Sequence, residues 1–226
     1  MNFFDRLETA TASERKALIN EPFIQAGVLG TLDAPAYVAF LSQAYHHVKH
    51  TVPLLMSCGA RLPERLGWLR NAVGHYIEEE TGHEEWILND IRACGGNAEA
   101  VRNAAPHLST ELMVAYAYDT IDRRNPVGFF GMVYVLEGTS VQVASRAADA
   151  LQKALGLPKK AFTYLRSHGD LDVGHVQFFR ELINRLDQDD DQAAVVHCAK
   201  AIFRLYGDIF RSLPWHTNEK EVIYAT

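Results

Sequence analysis

Between Pro126 and Ser145 the chain carries one charged residue, Glu137, set among Phe129, Phe130, Val133, Val135, Leu136, Val141 and Val143. A stretch this apolar has to be wrapped by other elements, so any fold must place it at the centre. An ionised carboxylate enclosed there without a partner costs several kcal/mol or shifts its pKa until it is neutral. The fold must therefore bring a cation to Glu137, or else an Arg or hydroxyl donors in a purely structural role.

The rest of the chain is built to do the wrapping. Punctuation is sparse, apolar residues recur at steps of three and four, and no period-two alternation is found, which predicts an all-α protein. Eight helices are expected over about 3–10, 13–28, 34–58, 63–94, 108–122, 127–156, 159–187 and 190–212. The signals at their ends are Asp33 before Ala34-Pro35, Gly95-Gly96 after Cys94, Asn125-Pro126, and Gly156-Leu157-Pro158. The acidic turn from Asp187 to Asp191 reads as a solvated loop and helix start. With 226 residues, 48% of them hydrophobic, the chain suffices for one helical domain over 1–226.

Several function classes are excluded by charge and composition. Lys+Arg 22 against Asp+Glu 28 gives a net charge of −6, and no basic block is present, so no nucleic-acid partner is expected. The N-terminal stretch is charged from Asp5 onward and reads as neither a signal peptide nor a membrane span, which predicts a cytoplasmic protein with no membrane partner. Cys58, Cys94 and Cys198 are odd in number and far apart, as expected for reduced thiols.

The informative positions are ionisable residues that fall in apolar register. In the 63–94 segment the stripe Leu69, Val73, Tyr76, Glu80, His83, Ile87, Ile91 turns Glu80 and His83 inward, with Glu79 as a competitor and Glu78, Glu84 and Glu85 toward solvent. In the 159–187 segment the stripe Ala161, Leu165, His168, Asp172, His175, Phe179, Leu182 places three potential ligands in succession, leaving Asp170 at the surface. In the 34–58 segment His47 falls in line with Tyr37, Phe40, Ala44, Thr51 and Leu54, whereas His46 shares a polar face with Ser42, Gln43 and Lys49. His50 lies one turn further and is a second candidate for the same cavity; His75, His107, His197 and His216 have no such context.

Glu80, Glu137 and Asp172 with His47, His83, His168 and His175 thus project from four helices toward one core. Mixed carboxylate and imidazole donors suit iron or manganese better than structural zinc or magnesium, and helical bundles with Glu-x-x-His house paired irons. The ordered set Glu80-x-x-His83, Glu137, then His168-x3-Asp172-x2-His175 resembles the haem-oxygenase-like diiron oxidases and oxygenases, iron-containing redox enzymes akin to the thiaminase II (TenA) group, over roughly residues 35–180.

That resemblance implies a haem-oxygenase-like (TenA-like) bundle of seven to eight helices. It also implies two iron ions, with one as the alternative, O2 as co-substrate, and oxidation, decarboxylation or C–C cleavage of small carboxylates and amino acids. Carried over by position, Glu80, His83, Glu137, His168, Asp172 and His175 would be metal ligands. The family's first ligand is usually a Glu about thirty-three residues before the Glu-x-x-His glutamate; here that position is His47. The exchange removes one negative charge, so a second ion would be held less tightly.

Other chemistries are open to the same fold. A metal-free thiaminase-type hydrolase needs a cysteine nucleophile, and Cys198, in mid-segment, is more simply a buried hydrophobe. A cofactorless oxidase resembling pyrroloquinoline-quinone synthase would use a His-rich cavity without needing three buried carboxylates. A haem-binding protein is disfavoured because those carboxylates would repel the propionates. Tyr37, Phe40, Tyr76, Phe130 and Phe179 are the expected walls of a small-molecule pocket, and long helices favour a homodimer.

Overall fold

The computed structural model describes residues 1–215, apart from the side chains of residues 168–175. Among the described residues there are twelve α-helices, three short 3-10 turns and no strands. The helices are α1 (Phe3–Ala10), α2 (Ala12–Ile19), α3 (Pro22–Leu29), α4 (Ala34–Val48), α5 (Thr51–Arg61), α6 (Gly67–Glu80), α7 (His83–Ala93), α8 (Ala98–Asn103), α9 (Leu108–Arg123), α10 (Phe130–Leu155), α11 (Thr163–Ile183) and α12 (Asp189–Arg211).

The apolar segment becomes α10, which packs on α11, α12 and α3 at the centre of the bundle. Residues 126–155 are long and apolar enough to cross a membrane by length and composition alone, but 56% of their apolar window is buried by neighbouring helices. Gly131 sets the closest approach: a Cβ there would meet the Val195 carbonyl oxygen at 2.5 Å and the Ala199 nitrogen at 2.6 Å, so α12 lies directly on the α10 backbone.

Three segments expected as single helices are broken, and each break has a chemical cause. Pro22 sits at the start of α3 and disfavours helical backbone at Glu21 before it. Pro53 lies in the first turn of α5; its missing N–H and its ring would spoil a turn continued from Lys49, so α4 ends at Val48. Between α6 and α7 Thr81 is extended and Gly82 takes φ 94°, a left-handed conformation that glycine adopts at no steric cost. The short helix α8 was not expected from periodicity; Asn97 caps it by accepting the Ala100 N–H at 3.0 Å.

Two buried carboxylates fasten the helices that carry the site. Asp191, 1% exposed, accepts Arg65 at 2.7 and 3.1 Å and Asn125 at 2.8 Å. The acidic turn is therefore solvated at Asp187, Asp189 and Asp190 but anchored at Asp191, against the expectation of a solvated loop throughout. Asp90 on α7, 0% exposed, accepts the Tyr164 N–H at 2.8 Å and so caps the first turn of α11 from another helix.

Candidate metal centre

A cavity of about 690 Å³ lies among α4, α5, α6, α10, α11 and α12. His47, Glu80 and Glu137, from α4, α6 and α10, all line it. Three residues separated by up to ninety positions in sequence thus line one cavity. Leu54, Leu55, Met132 and Leu136 form its apolar walls, and Tyr76 and Phe129 add aromatic ones.

His47 is 2% exposed, and its ring meets that of Tyr206 edge-on at 5.8 Å between centroids. Burial pushes the Tyr206 phenol above its ordinary range, so it stays protonated beside the imidazole. Glu80 closes α6, His83 opens α7, and His83 Nδ1 lies 3.1 Å from Glu80 Oε2. Both are turned from solvent, but they meet across the Thr81–Gly82 break and not along one continuous helix face, and His83, 4% exposed, is not among the residues lining the cavity. The His83 ring also stacks on Trp86, with centroids 3.9 Å apart.

Glu137 lines a further cavity of about 570 Å³, which Arg15 and Tyr134 also border. There the Arg15 guanidinium donates to the Tyr134 hydroxyl at 3.1 Å. His168, Asp172 and His175 fall within α11, and their side chains lie outside the described residues. Among the described residues no three His, Cys, Asp or Glu side chains stand close enough to enclose an ion by themselves.

The neighbouring candidates resolve differently. Glu79 meets His75 at 3.2 Å one turn back on α6 and is not among the residues lining the cavity. Glu85 pairs with Arg102 at 2.9 Å. His50 turns to the Tyr118 hydroxyl on α9, 3.3 Å away, instead of entering the cavity. His46, on the polar face with Gln43, is as buried as His47, at 2%. The face it shares with Gln43 packs against the start of α9, where Gln43 accepts the His107 N–H and the Thr110 hydroxyl. Burial, with Lys49 3.4 Å from its Nδ1, pushes the His46 pKa down to about 4.

Of the expected pocket walls, Tyr76 lines this cavity, whereas Tyr37 and Phe40 line a neighbouring chamber and Phe179 borders the cavity beside Arg15. Phe130 is core, and the adjacent Phe129 takes its place as a wall. Tyr164 and Tyr206, which also line the site, were not singled out from sequence. For Tyr206 the signal was present in its register with Ala199, Ile202 and Phe210.

The thiols are poorly suited to attack. Cys58 and Cys198 are buried and their pKa values are pushed up by burial to about 12, and that of Cys94 to about 11.

The architecture defines an all-α, haem-oxygenase-like protein. Solved structures share it: a heme oxygenase-like domain of unknown function from Shewanella denitrificans superposes with a TM-score of 0.83 at 25% identity, covering 92% of this chain and 90% of that one. A TenA homolog from Pseudomonas syringae pv. tomato gives 0.79 at 12% identity, covering 92% and 91%. Heme oxygenase from Leptospira interrogans gives 0.72 at 18%, covering 94% and 100%.

Within that class the profile of the iron-containing redox enzymes matches residues 38–207, and the chain belongs to this family. No curated protein matches its sequence.

Proposed function

We propose that the chain is a non-haem iron oxidase or oxygenase that holds two Fe(II) ions, or one, beside His47, Glu80 and Glu137 and uses O2 on a small organic acid or amino acid. The observation that carries this reading is the convergence of those three residues on one cavity, in a chain whose family is iron-containing. Two carboxylates and an imidazole from three helices have the donor chemistry of an iron or manganese site. His83 would join Glu80, and His168, Asp172 and His175 would complete the set from α11.

Iron, when bound, supplies the redox capacity to reduce O2. The chain's own residues supply the setting. The walls beside the donors are largely apolar, the Tyr206 ring packs edge-on against His47, and the Glu80–His83 contact ties α6 to α7. With His47 in the usual glutamate position, Glu80, Glu137 and Asp172 leave a surplus of positive charge over two Fe(II), which an anionic substrate group would balance.

The reading extends to a cytoplasmic homodimer with one domain per chain. Hydrolysis through a cysteine is the weaker reading because the Cys58, Cys94 and Cys198 thiols are all held protonated at neutral pH. The test is O2 consumption by chain loaded anaerobically with Fe(II). Uptake dependent on iron and lost in Glu137→Ala supports the proposal; the same slow uptake with and without metal overturns it.

A further inference from the structure

Beside the candidate metal cavity lies a chamber of about 620 Å³ whose lining is of a different kind. One wall is aromatic: Phe23, Tyr37, Phe40 and Phe210, with Phe40 stacked on Phe210 at 6.0 Å between centroids. The rest of its lining includes small and aliphatic residues, among them Gly27 of α3 and Val143, Ala144 and Ala147 of α10. No Asp, Glu, Lys, Arg or His is among its described lining residues.

Its hydroxyls are largely committed elsewhere. Tyr37 donates to the Ala161 carbonyl at 2.9 Å, Thr139 to the Val135 carbonyl at 2.6 Å, and Ser140 to the Leu136 carbonyl at 3.0 Å. A polar ligand would lose its water there for little return, whereas hydrocarbon would lose nothing. The chamber also adjoins the metal cavity, because Ser140, Tyr164 and Tyr206 line both.

We infer that this chamber receives the hydrocarbon part of the substrate whose polar end is held beside His47, Glu80 and Glu137, so that the substrate is an amphiphile with an alkyl or aryl tail. The inference rests on the proposed iron site for the polar end only. Small residues fix how much tail fits: Gly27 lies beside Ala147 in the lining, and a Cβ on Gly27 would meet Ala147 at 3.9 Å and Leu32 at 3.6 Å, ordinary contact distances. Gly27→Ala therefore narrows the chamber without forcing the helices apart, while Ala144→Phe fills it.

The experiment is calorimetric titration of the metal-free full-length chain with primary alcohols of four to ten carbons and with phenylalkanols. Their neutral heads tolerate the two cavity carboxylates without a metal. Each added methylene is expected to tighten binding by about fourfold until the chamber is full. Ala144→Phe should abolish that dependence, Gly27→Ala should shift its plateau to shorter tails, and both should take up Fe(II) as the parent does. Phenylalkanols binding more tightly than alkanols of equal carbon number would assign the tail as aryl, and the reverse as alkyl. Affinity independent of tail length, or a length dependence unchanged in both variants, overturns the inference. Failure of Fe(II) uptake with the length dependence intact would instead count against the iron site and leave the chamber standing.

Discussion

His83 Nδ1 lies 3.1 Å from Glu80 Oε2 although the two residues belong to different helices, separated by a glycine at φ 94°. Gly82, in a left-handed conformation, lets α7 depart at its own angle while the contact is kept. An L side chain in this conformation costs about 1–2 kcal/mol. Gly82→Ala is therefore expected to lower the melting temperature and weaken iron binding together. Gly74→Ala, in the exposed interior of α6 with nothing within 4 Å of the added Cβ, should instead stabilise by about 0.5–1 kcal/mol. Thermal melts and iron titrations of the two variants make the comparison; equal effects would show that the turn has no special role.

Asp90 and His46 predict opposing pH dependences in one window. Burial raises the Asp90 pKa to about 6 from an ordinary 3.8, so its contribution is full below about pH 4 and is lost as pH rises through 6. His46 is lowered to about 4 from 6.5, so its contribution is present above about 6.5 and is lost as pH falls through 4. In denaturant melts from pH 4 to 7, Asp90→Asn should steepen the loss of stability on acidification, and His46→Gln should reduce it. Parallel profiles for both variants and the parent would contradict the assignment.

Much of this arrangement was legible in the sequence because burial acts through helical periodicity. Glu137 stands out as the single charge in an apolar segment, and Glu80, His83 and His47 fall on stripes that do turn inward. What periodicity does not carry is the path of the chain between helices. The breaks at Lys49–His50 and Thr81–Gly82 arise from one proline three residues on and from one glycine, neither of which interrupts the apolar pattern. Nor does periodicity show which polar faces are covered: the one His46 shares with Gln43 packs against α9, and Gln43 is used there. The split of the cavity wall between Phe129 and Phe130 depends on the 3-10 turn at Pro126–Phe129, which shifts the register by part of a turn before α10 begins.

The thiols provide a test that separates oxidase from hydrolase chemistry. With pKa values of about 11 to 12, Cys58, Cys94 and Cys198 present little thiolate at pH 8. Reaction with a disulfide reagent should be slower in the native chain than in the unfolded chain by about a hundredfold or more. Each Cys→Ala variant should retain iron-dependent O2 uptake. A rapidly labelled thiol whose removal abolishes turnover without metal would favour the hydrolase.

The central claim, that His47, Glu80 and Glu137 border an iron site, is tested most directly by metal analysis after anaerobic Fe(II) loading and desalting. The parent is expected to retain more than one iron per chain at saturation, Glu137→Ala to lose most of it, and His47→Ala to lose the weaker ion. His47→Glu, which restores a carboxylate and adds one negative charge, should tighten that ion, while His46→Ala should leave the stoichiometry unchanged. One iron per chain in the parent would support a mononuclear centre at the same residues. Less than a tenth of an iron per chain under iron-replete, reducing conditions, with the variants no different, would contradict the account.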